Sequence, residues 1–128
     1  MSEMLSNAGG RVSAMGDIVQ LKVTDGACSE DDFHDLLDAV IAIFAHTEVP
    51  LKLILNAIDE EVSSEHIAAL TDLLQDSTFD TKHLKGTVLI LTRMQATIAS
   101  ILVQSLQFSR PTRVVSDEKS ASEFIASI

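Results

Sequence analysis

LKLILNA fills positions 51–57 and GTVLILT positions 86–92. Each is a compact apolar run of strand length with little alternation. Such runs belong to strands buried on both faces, the habit of parallel sheets covered by helices. Between them, SSEHIAALTDLLQDS at 63–77 places Ile67, Leu70, Leu73 and Leu74 on one side of a helix. A strand, a helix and a second strand of these lengths form one right-handed crossover unit.

Working outward, the same alternation continues on both sides. IVQLKV at 18–23 alternates apolar and polar side chains at period two, as a half-buried strand does, and TDGAC follows as a turn. Ser29 then has the position of a helix N-cap, with Glu30, Asp31 and Asp32 complementing the positive helix start. Phe33, Leu36, Leu37, Val40, Ile41 and Phe44 recur at the spacing of one buried face. Downstream of GTVLILT, Thr92-Arg93-Met94-Gln95 has capping-box spacing and opens a helix over 94–108 that Arg110-Pro111 ends. Arg113 to Val115 is a short strand, and Asp117 caps a closing helix with Phe124, Ile125 and Ile128 inward. The first sixteen residues, MSEMLSNAGGRVSAMG, fit either a frayed arm or an edge strand ending at the Asn-Ala-Gly-Gly turn. The expected fold is a single α/β domain over 17–128, with a mainly parallel sheet of four or five strands flanked by four helices, and 1–16 as arm or edge strand.

Composition narrows the function. At 128 residues, 46% hydrophobic and 22% charged, the chain has enough apolar material for one core without disulfides. A net charge of −10 argues against nucleic acid or anionic lipid as the main partner. No run is long enough to span a membrane, no signal peptide opens the chain, and one cysteine suits a reducing compartment, so the cytoplasm is the expected location. The charge is uneven: positions 25–61 hold ten acidic residues against Lys52 alone, whereas 82–119 hold six basic residues against Asp117 and Glu118.

Several phrases resemble the SpoIIAA-like domains of the STAS group, named for sulphate transporters and anti-sigma factor antagonists. IVQLKVTDGACSEDDF is similar to their opening strand, glycine turn and acid-capped helix, and PLKLILNA to their central strand. KHLKGTVLILTR resembles the charged lead-in to the next strand, and RPTRVVSDEKSASEFI the last strand and closing helix. The family's known motif is an Asp-Ser-Ser-Gly turn at the start of the second helix, whose first serine is phosphorylated to break a partner complex. The matching region here is EEVSSEHIAAL, which puts Ser64 at that position counted from the helix and Glu65 counted from the strand. In neither register are both the Asp and the Gly present. The resemblance implies a non-enzymatic regulatory module that binds a protein, or alternatively a small apolar or lipid-like ligand.

Ser63 and Ser64 sit at a helix start, where phosphorylation is physically allowed and plain N-capping is the simpler account. Glu60, Glu61 and Glu65 would repel an incoming phosphate. Cys28 precedes a helix, which favours its thiolate, among acids that disfavour it; an incidental thiol is the better reading. His34 and Asp38 lie one turn apart, but a zinc site wants three or four ligands, so His34, His46, His66 and His83 are read as surface histidines. There is no nucleophile elbow, phosphate-cradling glycine loop or dinucleotide fingerprint, and neither metal nor cofactor nor catalysis is expected.

One segment stands out. Nothing between Arg93 and Arg110 carries a formal charge. On a helix over 94–108, Met94, Ile98, Ile101, Leu102 and Leu106 share a face expected to pack on the sheet. Thr97, Ser100, Gln104 and Gln107 lie opposite, with Val103 at the boundary. Uncharged polar groups cost less to desolvate than charges, and interface cores are depleted in Lys, Glu and Asp. Thr97, Ser100, Val103, Gln104 and Gln107 are therefore candidates for a contact surface, toward another protein or in a homodimer, with Arg93 and Arg110 at its rim. A helix that is simply well buried is the alternative.

Overall fold

A computed structural model describes residues 2–75, 84–106, 108 and 110–128. Among them are six strands, β1 (Ser2–Ser6), β2 (Gly10–Met15), β3 (Ile18–Val23), β4 (Leu51–Asn56), β5 (Leu84–Ile90) and β6 (Thr112–Val115). Four helices accompany them: α1 (Glu30–Ala45), α2 (Ser64–Gln75), α3 (Arg93–Ser105) and α4 (Glu118–Ser127). The α/β class is as the sequence indicates; the sheet is larger than four or five strands.

The extra strand comes from the first sixteen residues, which make two strands of an antiparallel hairpin. Asn7 is the reason the chain reverses there. Its Oδ1 accepts from Gly9 N at 2.8 Å and Gly10 N at 3.2 Å, closing a turn through its own side chain. A second hairpin joins β2 to β3 through Gly16 and Asp17, with Gly16 at φ +60°. Glycine at the first central position, with the positive φ there alone, is the chemistry of a tight hairpin turn.

The strands lie in chain order, β1 to β6, with β3 through β6 parallel. That order decides where the helices go. Three successive right-handed crossovers advancing in one direction must all lie on the same face. Accordingly α1, α2 and α3 share a core with Val19, Leu21, Leu53, Leu55, Leu89 and Leu91. Only α4, after the last strand, crosses to the other face, where Phe124, Ile125 and Ala121 pack on Val88 and Ile90. Because strand order never reverses, the sheet has no switch-point crevice of the kind that holds dinucleotides.

Ser29 caps α1, its side chain accepting from Asp32 N, and Asp117 caps α4 by accepting from Ser120 N. Five of the six apolar residues expected inward on α1 are buried, but Ile41 is 38% exposed at the stripe's edge. On α2, Leu70 and Leu74 are buried while Ile67 and Leu73 are half-buried. No helix among the described residues is long and apolar enough to cross a membrane.

Candidate functional site

The loops after β3 and β4 meet the starts of α2 and α3 at one end of the sheet. Ser63 N donates to Gly26 O at 3.1 Å, and Gly26 N donates to the Glu60 carboxylate at 3.1 Å. A Cβ on Gly26 would overlap the Glu61 carbonyl oxygen, so the approach requires glycine. Next to it the Gln95 side chain pairs with both backbone groups of Val62. These bonds stitch the loops into a row.

Ser63 takes the cap position of α2: its Oγ accepts from His66 N at 3.2 Å. Ser64 is exposed beside Glu65, which is also exposed. The two serines thus have distinct surroundings, one hydroxyl committed to the helix start and the other facing water.

His66 corrects the expectation of a surface histidine. It is 3% exposed, and its ring stacks on Phe33 at 4.3 Å between centroids and 5° between planes. Nε2 lies 2.9 Å from Cys28 O, and since a carbonyl only accepts, Nε2 carries the proton. A flat ring with its polar tip satisfied is cheap to bury, which helical periodicity alone does not signal. Cys28 Sγ is 3.5 Å from the same nitrogen. Nε2 has no lone pair left to take the thiol proton, so the two do not make a nucleophile and base. Burial pushes the Cys28 thiol up, and the Asp25 and Asp32 carboxylates push it further. His34 and His46 are exposed, and His83 lies outside the described residues. Among the described residues no group of three or more His, Cys, Asp and Glu side chains is placed to hold a metal.

The uncharged helix departs most from expectation. α3 ends at Ser105, and its inward residues are Ala96 and Ala99, 8% and 4% exposed. Met94, Ile98 and Ile101, expected against the sheet, are 72%, 65% and 67% exposed, and Leu102 is 38% exposed. Leu106 is half-buried. The helix is turned roughly a third of a revolution from its apolar stripe. Thr97 and Gln104 are exposed on one flank of that stripe; Ser100 and Val103 are half-buried nearer the sheet. The side chain of Gln107 lies outside the described residues.

Two local causes fix this rotation. The Ala96 and Ala99 methyls allow the backbone of α3 to sit close over its strands, where Ile or Met would hold it off. Gln95, the fourth residue of the expected capping box, turns to Val62, and Thr92 makes no side-chain cap bond. The Thr92 Oγ1 is left buried without a partner.

Between α2 and α3 runs a groove of about 430 Å³, lined by Ile67, Ala68, Ile98, Ala99, Leu102 and Leu106, with Ser64, Gln95, Thr71, Asp72 and Gln75 among its polar members. It is continuous with the exposed stripe through Ile98 and Leu102. Among the described residues seven large hydrophobic side chains are exposed, and four of them are on α3. Burying a side chain of this size is worth about 1.5–3 kcal/mol, so the fold forgoes a large stabilisation at one place. Sequence reading missed these residues because it assigned the stripe inward; the small residues Ala96 and Ala99 three apart were the signal for the other face.

No protein-family model matches the chain, and no curated protein or solved structure matches it either.

Proposed function

We propose that this chain is a non-enzymatic protein-interaction or regulatory module of STAS/SpoIIAA-like type, with the outward face of α3 as its contact surface. The family part of this reading rests on the sequence phrases within 17–128 alone. The contact surface rests on one observation: Met94, Ile98 and Ile101 stand more than three-fifths exposed in a row on one helix. Contiguous apolar patches mark interaction sites, whereas the other exposed large side chains, Met15, Ile41 and Val49, lie outside α3. Thr97 and Gln104 border the row with uncharged groups that a partner can dehydrate at modest cost. The test is affinity capture after cross-linking in the native cells, comparing wild type with Ile98→Glu/Ile101→Glu. A protein held by the wild type and lost with the variant carries the reading; identical capture by both overturns it.

The groove favours a second reading, an apolar or lipid-like ligand. It lies between α2 and α3. Its walls at Ile67, Ile98 and Leu102 suit an acyl chain, and Ser64, Thr71, Asp72, Gln75 and Gln95 are its polar members. Chemical-shift changes confined to these residues on titration with a fatty acid separate this reading from the first.

A further inference from the structure

We propose that the partner of α3 is α3 of a second copy of this chain, the two helices running antiparallel about a two-fold axis between Ile98 and Ile101. This rests on the reading of α3 as a contact surface and names what covers it.

The stripe is self-complementary on reversal. Its outward positions 94, 98, 101 and 105 follow a four-three-four spacing, the seam of a helix pair. Turning a second copy end for end about the midpoint sets Ile98 against Ile101 and Met94 against Ser105. The longest outward apolar side chain then meets the smallest outward residue, so the two ends of the seam fill alike.

The two hydroxyls at the seam are already satisfied, and Gln104 at its edge is exposed and can keep its amide in water. Ser105 Oγ donates to Leu102 O at 2.7 Å, and Thr97 Oγ1 donates to Arg93 O at 3.1 Å. Covering these hydroxyls leaves no donor stranded, which removes the usual cost of dehydrating a polar rim.

Charge selects both the partner and the direction. Arg93 opens α3, at the positive end of the helix dipole, with no acid in the first turn; the last turn has no base. Within one copy Arg93 opposes the dipole at the helix start, and no base in the last turn complements its end. In the antiparallel pair each Arg93 reaches the uncompensated carbonyl end of the other helix. A parallel pair would set Arg93 beside Arg93. No formal charge falls between Arg93 and Arg110, so the seam brings no two like charges together although each copy is at −10. The remaining repulsion acts at a distance and is screened over about 8 Å at physiological salt.

A helix of 13 residues is about 20 Å long. One such pair covers less than the roughly 800 Å² per partner of a stable complex, so the dimer is concentration-dependent.

Light scattering on a sizing column, run over a concentration series, tests the association. Wild type should rise from 13.8 kDa toward twice that mass, and Ile98→Glu should stay at 13.8 kDa with an unchanged circular-dichroism spectrum. Direction is read with Met94→Cys and Ser105→Cys, oxidised with copper phenanthroline, wild type serving as the control for Cys28. In the antiparallel pair two copies of position 94 are about 16 Å apart along the axis, so neither variant alone cross-links above control and their mixture does. Wild type that stays monomeric throughout overturns the proposal, as does Met94→Cys cross-linking alone as well as the mixture. A monomer whose captured partner is still lost with Ile98→Glu/Ile101→Glu removes the second copy but leaves the contact surface standing. A monomer with unchanged capture removes both.

Discussion

The side-chain amide of Gln95 pairs with the peptide unit of Val62 as a neighbouring strand would: Val62 N donates to Oε1 at 2.8 Å, and Nε2 donates to Val62 O at 2.6 Å. Val62 is 2% exposed, so this amide satisfies both of its backbone groups away from water. It also fixes the first turn of α3 against the loop that leads into α2.

Gln95→Ala should therefore cost more than its half-buried position suggests. It strands one donor and one acceptor, each worth about 1–3 kcal/mol when left unmade in the interior. Urea unfolding should show a loss of about 2–4 kcal/mol, and hydrogen exchange should quicken at Val62 and the start of α3. Gln95→Glu keeps the acceptor for Val62 N but sets a carboxylate against Val62 O, so it should also destabilise, less at low pH where the acid regains a proton to donate. A loss within 0.5 kcal/mol for Gln95→Ala would show that water replaces the amide freely.

The rotation of α3 makes opposite predictions for adjacent residues. At concentrations low enough to keep the chain monomeric, Ile98→Ser removes an exposed side chain and should change stability by no more than about 0.5 kcal/mol. Ala99→Ile forces three extra carbons between the helix and its strands and should cost about 1–3 kcal/mol. If the apolar stripe faced the sheet, the order would be reversed, with Ile98→Ser by far the worse.

These two residues also explain what was legible in the sequence. β4 and β5 were readable because continuous apolar runs allow few other structures, and α1 because a capping serine, three acids and a long stripe agree. α3 lacked that agreement. Charges ordinarily mark the side of a helix that meets water, and between Arg93 and Arg110 there are none, so the apolar stripe alone set the expected direction. The outcome depended on the closeness of approach that Ala96 and Ala99 permit, which is a property of the packed pair of elements. Of the β1–β2 hairpin, the edge strand and its Asn-Ala-Gly-Gly turn were readable as one of two alternatives, but β2 was not, because GRVSAM is short and its apolar side chains do not alternate strictly. His66 was misread because what makes its burial cheap, Phe33 and the Cys28 carbonyl, lies far away in the chain.

Lys52 supplies from a strand what α4 lacks. No basic residue occupies the last turn of α4, and the Lys52 ammonium donates to Ile125 O there at 2.8 Å. Asp17 is 3.7 Å away and half-exposed, which makes it a weak partner. Lys52→Met keeps the apolar stem and removes the donor, so it should lower stability by about 1–2 kcal/mol, concentrated in α4. Faster amide exchange through residues 118–128 with little change in β4 is the expected pattern. Uniform loss across the sheet would mean that the stem, and not the ammonium, is what holds the element.

Cys28 gives the pH-dependent prediction. Thiolate is the reactive form, and burial together with Asp25 and Asp32 holds this thiol above the ordinary range. At pH 7–8 a smaller fraction is therefore ionised than in a free cysteine, whose pKa is about 8.5. Alkylation by iodoacetamide should be slower than for a short unstructured peptide, and its rate should climb through a midpoint above the peptide's. Asp25→Asn removes one of the two nearby charges and should move that midpoint down without reaching the peptide value, because burial is the larger cause. His66→Phe keeps a ring against Phe33 but gives up the bond to the Cys28 carbonyl. If His66 acted as a base toward the thiol, this variant would slow alkylation. With Nε2 already donating to the carbonyl, the expected result is a rate unchanged or raised, as the loop holding Cys28 loosens and admits water.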